Sequence, residues 1–381
     1  MTTFALILVI PWLIALYLTP LVERWAARHG WIDRPHGHKR HTEATPLLGG
    51  MAVFISASLG LGACIALSPA LRAGPSGPGS LPALALGLAL ILGLGAYDDR
   101  RDLRAGYKLV GQILIAAGTW ALGFRCGPVE LPLGWMIEDA LLPSFLVTIL
   151  WIVVVTNAFN LIDGLDGLAT GLGLLACLTI FVLASSNGTS VPVIGTLALA
   201  GALAGFLRYN APPARIFLGD AGSMGIGYAI AVLSLGSYQK SPTAVVLSVP
   251  LIALGLPLLD TAQAILRRTV RHVEREGPGG LHPLRIGRAL LTADRGHVHH
   301  LLVRTGWTPR RVLFSLYGLS GGLSGLALWT RRASPELRWL LWLSLMAGGL
   351  ILLRRLQARV ERSERTDPSL AAPTRRRQAV G

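Results

Sequence analysis

The stretch Asn157-Ala158-Phe159-Asn160-Leu161-Ile162-Asp163-Gly164-Leu165-Asp166-Gly167-Leu168 sets two amides and two carboxylates at three-residue spacing. Groups so spaced share one side of a helix, and Gly164 and Gly167 let the backbone bend close to a ligand. The run LVTILWIVVV, residues 146–155, comes immediately before and reads as a membrane span. The polar cluster therefore lies where that span leaves the bilayer, a place for water, metal and phosphate. A plain cap between two spans would use the same residue types, so the weight of this stretch depends on its company.

The 381 residues are 52% hydrophobic and 14% charged, which excludes an ordinary soluble domain. Apolar runs of roughly 20 residues recur along the chain. They predict an all-α integral membrane protein, a polytopic bundle of about eleven transmembrane helices with its site at the cytoplasmic face. The expected spans are Phe4–Val22, Leu47–Leu67, Leu81–Ala96, Leu109–Phe124, Leu141–Val155, Leu168–Ala184, Val191–Leu207, Met224–Leu235, Ala244–Leu266, Val312–Trp329 and Leu337–Leu353. Residues 1–356 form the membrane domain, and 357–381, with Arg375-Arg376-Arg377, read as a basic, disordered tail. The start lacks a basic n-region and reads as a retained first span. Cys64, Cys126 and Cys177 are isolated, so neither a disulfide framework nor a cysteine metal site follows.

An odd number of spans puts the termini on opposite sides. Segments 23–45, 97–108, 157–167, 208–222, 267–311 and 354–381 hold 29 of the 35 Lys and Arg residues, and 16 of the 20 acids fall in or just beneath them. By the positive-inside rule that side is cytoplasmic, the N-terminus outside and the C-terminus inside. The net charge of +15 is thus a signal of topology and of attraction to anionic lipid, with no call for nucleic acid.

Four stretches on that side carry chemistry. Asp98-Asp99, followed by Lys108, sets adjacent carboxylates at a membrane exit, where they suit a phosphate proton or a metal-bound phosphate, with Lys108 as a point charge on it. In Phe217-Leu218-Gly219-Asp220-Ala221-Gly222-Ser223, Ser223 is placed to cap a helix. The glycines keep N–H groups clear for an anion, and Asp220 suits a hard cation such as Mg²⁺. Asp294-Arg295-Gly296-His297-Val298-His299-His300 lacks a zinc frame, so the histidines and Arg295 read as phosphate or leaving-group contacts. Asp260, about two turns inside its helix, needs a partner among the site residues. Polar loops or a solvated amphipathic helix would account for each stretch taken singly.

Together these stretches resemble the polyprenyl-phosphate N-acetylhexosamine-1-phosphate transferases, glycosyltransferase family 4 in type, over nearly the whole chain up to the tail. The resemblance rests on Asp98-Asp99 with Leu103 and Lys108, the Asn157-to-Gly167 stretch, Phe217-to-Ser223, and His297 to His300. Asp33-Arg34-Pro35, Lys39, His41, Pro46 and Gly49-Gly50 look like the undecaprenyl-phosphate GlcNAc-1-phosphate branch. The branch that transfers phospho-MurNAc-pentapeptide usually has three consecutive histidines, which Val298 interrupts here, and it is the alternative. His38 and Leu47 depart from the arginines common in the first branch, which bears on the sugar rather than on the reaction.

The resemblance implies a UDP-N-acetylhexosamine donor, an undecaprenyl phosphate acceptor, release of UMP, and residence in the inner (plasma) membrane. It implies Mg²⁺, with Mn²⁺ as a substitute, on Asp220 with Asn160 nearby. Asp98 and Asp99 stand near the lipid phosphate, with Asp163 and Asp166 counted beside them as catalytic. Lys108, Asn157, Asn210, Arg295, His297, His299 and His300 are assigned to substrate. Membrane lipid and a second copy of the chain are the further partners. A transporter or lipid flippase is the rival class and would place polar groups near the midplane between repeats.

Overall fold

The computed structural model describes residues 2–33, 44–68, 71, 79–127, 129–130, 136–137, 141–237, 248–276 and 297–366. Backbone polar groups in lipid must bond within their own segment, so long apolar runs become helices. In chain order these are α1 (Thr2–Arg28), α2 (Gly49–Leu67), α3 (Leu81–Arg101), α4 (Ala105–Ala121), α5 (Leu141–Ile162), α6 (Leu168–Ser186) and α7 (Ser190–Asn210). There follow α8 (Gly219–Gly236), α9 (Ser248–Ala253), α10 (Gly255–Glu276), α11 (Val298–Arg304), α12 (Pro309–Thr330) and α13 (Pro335–Thr366). Two antiparallel two-residue pairs accompany them: β1 (Ile32–Asp33) with β2 (Thr45–Pro46), and β3 (Val129–Glu130) with β4 (Met136–Ile137).

Among the described residues eight helices, α1, α2, α3, α5, α6, α7, α12 and α13 from Glu336, are long and apolar enough to cross a membrane. The multi-pass, all-α architecture stands, while three of the eleven expected spans fall short of that measure. In α4 there are 17 residues. Five of the 18 residues of α8 are glycine. The ninth expected span is interrupted: α9 ends at Ala253, Leu254 intervenes, and α10 runs on to Glu276 as a strongly amphipathic helix carrying Arg267, Arg268, Arg271 and Arg275.

The centre of the bundle is α8. Every residue from Ala221 to Gly236 is buried, enclosed by α2, α3, α5, α6 and α7. Its glycines and alanines let neighbouring backbones approach closely, which is what packs helices where lipid supplies no hydrophobic drive between them. Polar ties pin it. The Tyr228 hydroxyl lies 2.7 Å from Thr119 Oγ1, and Trp151 Nε1 donates to Ser234 Oγ at 3.0 Å and to the Ala231 carbonyl at 3.2 Å.

Three connections, residues 102–104, 163–167 and 211–218, join α3 to α4, α5 to α6 and α7 to α8. Each carries a motif, and the hydrogen bonds given below bring all three to one end of the bundle.

Replacing Tyr228 by Phe removes a hydroxyl whose partner, Thr119, keeps its bond to the Ile115 carbonyl. The variant should insert normally and lose roughly 0.5–1.5 kcal/mol, read as a lowered midpoint of thermal unfolding in detergent.

Candidate active site

The α3–α4 turn is built by Asp98. Its Oδ1 accepts the Leu103 N–H at 2.8 Å, and Asp102, in the left-handed region at φ 49, reverses the chain. That reversal brings Lys108, in the first turn of α4, back over Asp98, with Nζ 2.6 Å from Oδ2. The same ammonium lies 2.8 Å from Asp220 Oδ2 and 3.0 Å from Asn160 Oδ1. Three donors thus meet three oxygens from three other helices. Asn160 completes the ring by donating Nδ2 to Asp220 Oδ1 at 2.8 Å and to Ser223 Oγ at 2.9 Å.

Asp99 faces a different way. Its Oδ1 accepts the N–H of Asp220 at 2.7 Å and its Oδ2 that of Ala221 at 3.1 Å. A carboxylate from α3 therefore caps α8, where aligned peptide dipoles favour negative charge. This corrects the expectation that Ser223 caps the helix and that these N–H groups stay clear for a ligand anion. The anion is Asp99, and Ser223 serves Asn160. Gly219, at φ +74, is required here: a Cβ would lie 2.8 Å from Asp99 Oδ2, in a conformation L side chains rarely adopt.

Asp163 is half-buried in the turn after α5. Burial first, and then the charges of Asp220, Asp99 and Asp166, raise its carboxyl well above the usual carboxylate range. Asp166 accepts the Ala214 N–H on Oδ2 at 2.9 Å and so ties this turn to the α7–α8 connection. Asn210, buried, accepts from Thr170 Oγ1 at 2.7 Å and donates to the Ile216 carbonyl at 3.0 Å. It braces that connection from within. Asn157 turns toward α4, donating to Gln112 Oε1 at 2.6 Å.

The histidines reach the same end. The ring of His299, buried, lies against Gly164, where any Cβ would collide with Nε2. Its centroid lies 4.1 Å from that of His300, with the rings tilted by 49°, and 6.0 Å from that of His297, nearly parallel to it. His297 is paired with Asp260, the partner its buried carboxylate needed. Arg295 and Asp294 lie outside the described residues. Beyond Asp99 a cavity of about 540 Å³ is lined by His29, Trp31, Leu47, Arg100 and Arg101, with the Arg100 guanidinium 5.0 Å from the Trp31 ring centroid.

Gln112 and Tyr317 were not singled out from the sequence. Gln112 sits mid-span, where polarity was a signal, and Tyr317 Oη donates to the Gly167 carbonyl at 2.6 Å, a tie between distant helices that no local pattern announces. As for a cation, Asp98, Asn160 and Asp220 already converge on one ammonium. Among the described residues no three His, Cys, Asp or Glu side chains form a metal-holding group. Oxygen donors of this number fit Mg²⁺, which takes one or two protein ligands and leaves the rest to water and phosphate.

A helical bundle that gathers carboxylates, an amide and a lysine at one end defines a polytopic membrane protein with a charged polar site at that end. The family model described as glycosyl transferase family 4 matches residues 81–238. The probable undecaprenyl-phosphate N-acetylglucosaminyl 1-phosphate transferase of Bacillus subtilis is 33% identical over 348 residues, 90% of this chain and 87% of that one. The decaprenyl-phosphate N-acetylglucosaminephosphotransferase of Mycobacterium tuberculosis is 33% identical over 330 residues, 80% and 77% of the two chains. A phospho-N-acetylmuramoyl-pentapeptide-transferase of Synechococcus is 31% identical over 336 residues, 83% and 85%. This chain belongs to glycosyl transferase family 4.

Two outcomes are expected. Asp99→Ala leaves two N–H groups of α8 unpaired and should cost about 1–3 kcal/mol in thermal unfolding. Because the folded state raises the Asp163 carboxyl, its ionisation at neutral pH works against folding. Asp163→Asn should therefore unfold about 1–3 °C higher than the parent near pH 8 and lose that advantage as pH falls and the parent carboxyl protonates.

Proposed function

We propose that this chain transfers N-acetylhexosamine-1-phosphate, with GlcNAc-1-phosphate the leading candidate, from a UDP-sugar to undecaprenyl phosphate. An oxygen of the lipid phosphate attacks the β-phosphorus of the donor. A phosphoanhydride bond forms between lipid phosphate and sugar phosphate, the bond from that phosphorus to the bridging oxygen breaks, and the oxygen leaves with UMP. The observation that carries the reading is the convergence of Asp98, Lys108, Asn160 and Asp220, from α3, α4, α5 and α8, on a single point.

Phosphoryl transfer asks a protein chiefly for positioning and charge. Lys108, held by three oxygens, is the positive charge available to a phosphate once ligand oxygens displace one of them. Asp98 or Asp99 would take the lipid phosphate's proton; both oxygens of Asp99 are bonded to the α8 terminus, and those of Asp98 to the Leu103 N–H and to Lys108, whose ammonium ligand oxygens could draw away. Asp163, with a carboxyl poised toward protonation, and Asp166, which fixes the neighbouring connection, border the donor. Asp220, with Asn160 beside it, would hold Mg²⁺, which when bound supplies charge neutralisation on the diphosphate and the leaving phosphate. The basic and aromatic lining of the cavity beside Asp99 suits a phosphate-bearing group.

The Lys and Arg excess at this end argues that it faces the cytoplasm of the inner membrane, where a lipid-anchored acceptor and a water-soluble donor can meet. A transporter is disfavoured because the acidic cluster gathers at one end of the bundle rather than at its middle.

Release of UMP from a panel of UDP-sugars, with undecaprenyl phosphate and Mg²⁺, is the test; no release from any donor would overturn the reading. Asp220→Asn should lower turnover by at least about 100-fold while the protein stays inserted and folded. Chelation should abolish activity, and added Mg²⁺ should restore it. Arg331→Ala, at the far end and bonded to Ser186, should retain parental turnover.

A further inference from the structure

Asp260 is a buried carboxylate that the scheme above leaves without a task. It sits in α10 with 1% of its surface exposed, and both oxygens point at the start of the histidine helix. Oδ2 lies 2.8 Å from His297 Nδ1, and Oδ1 accepts the N–H of Val298 at 2.8 Å. A carboxylate oxygen only accepts, so the first contact puts the ring proton on Nδ1. The other nitrogen, Nε2, is then left with its lone pair. His297 lies 8° from parallel with His299, and His299 rests against Gly164, between Asp163 and Asp166. A carboxylate on α10 thus fixes one end of a row of imidazoles whose other end meets the acidic turn.

We propose that Asp260 is a positioning residue that locks His297 in the Nδ1–H tautomer, so that Nε2 accepts a hydrogen bond from a hydroxyl or amide N–H of the nucleotide sugar. The role rests on the transfer reading given above and narrows it. A phosphate oxygen without a proton needs a donor, which this tautomer does not offer at Nε2, so His297 serves the sugar or ribose part of the donor rather than its diphosphate. That narrows the expectation that the histidine stretch contacts phosphate or the leaving group and lies around the nucleotide sugar.

Asp260 also caps α11 through Val298, and a substitution must separate the two tasks. Asp260→Asn does so. Its amide oxygen can keep the Val298 N–H, while its NH₂ then faces His297 Nδ1 and drives the proton to Nε2. The corresponding carboxylate-to-amide change in a Ser-His-Asp triad inverts the tautomer and costs about 10⁴-fold in turnover.

The experiment combines nitrogen NMR of the histidine-labelled full-length protein at about pH 8, with His297 assigned by difference against His297→Gln, and kinetics of UMP release. The parent should carry its proton on Nδ1 and Asp260→Asn on Nε2. That variant should lose on the order of 100-fold in kcat/KM for UDP-N-acetylglucosamine, with KM for undecaprenyl phosphate within about 2-fold of the parent. Asp260→Glu, which keeps both acceptors, should recover most of the loss. A parent ring protonated on Nε2 or on both nitrogens would overturn the proposal even if the variant failed to fold, and so would an Asp260→Asn enzyme with parental kcat/KM. A parent that releases no UMP from any UDP-sugar would overturn the transfer reading, and with it the ligand assigned to Nε2; an active parent with an unaffected variant would overturn the positioning role alone.

Discussion

The site depends on a carboxylate of α3 meeting two backbone N–H groups at the start of α8. The N–H groups of a helix's first turn have no partner within the helix, and Asp99 supplies acceptors for two of those of α8. The same contact fixes how far α8 slides along α3, and hence where Asp220 stands relative to Asp98 and Lys108. Once that register is set, one ammonium balances the carboxylates of Asp98 and Asp220, and Asn160 fills the remaining angle. Removing any one of these groups would leave a charge or a polar atom short of a protein partner, most costly at Asp98, which is buried, and least at Asp220, whose side chain is 38% exposed.

Connections between antiparallel neighbours do the gathering. Asp102 turns the chain between α3 and α4, the Asp163-to-Gly167 turn joins α5 to α6, and Asn210 with Asp166 holds the connection into α8. The chemistry-bearing residues are thus at helix ends, where the backbone still has free donors and acceptors, and the helices behind them act as rigid mounts. Interhelical ties such as Tyr228 to Thr119 and Tyr317 to Gly167 keep those mounts from rotating.

Much of the architecture was legible in the sequence, because long apolar spans are written in composition. The spacing of Asn157, Asn160, Asp163 and Asp166 marked the α5 end, and the shared side of the four stretches foretold that they meet. What could not be read was division of labour. Adjacent Asp98 and Asp99 look equivalent in a chain, yet a helix turns each residue about a quarter-circle from the last, so one faces Lys108 and the other the α8 terminus. Asn210 and Asp166 look like ligands by type, yet each spends hydrogen-bonding capacity on a loop. The one-residue interruption between α9 and α10 coincides with Gly255 and Pro257, the second of which lacks the N–H that a continuous helix would give to the Ala253 carbonyl.

The last helix has a consequence for how the histidine end is held. With 32 residues, α13 rises about 48 Å, well beyond the roughly 30 Å of hydrocarbon a helix must cross. Its final turns therefore stand clear of the bilayer or run obliquely through it, and Val360, buried near that end, belongs to a helix that touches α11 as well as α10. In this sense α13 is a buttress: it carries stiffness from the membrane interior out to a seven-residue helix too short to hold its own shape.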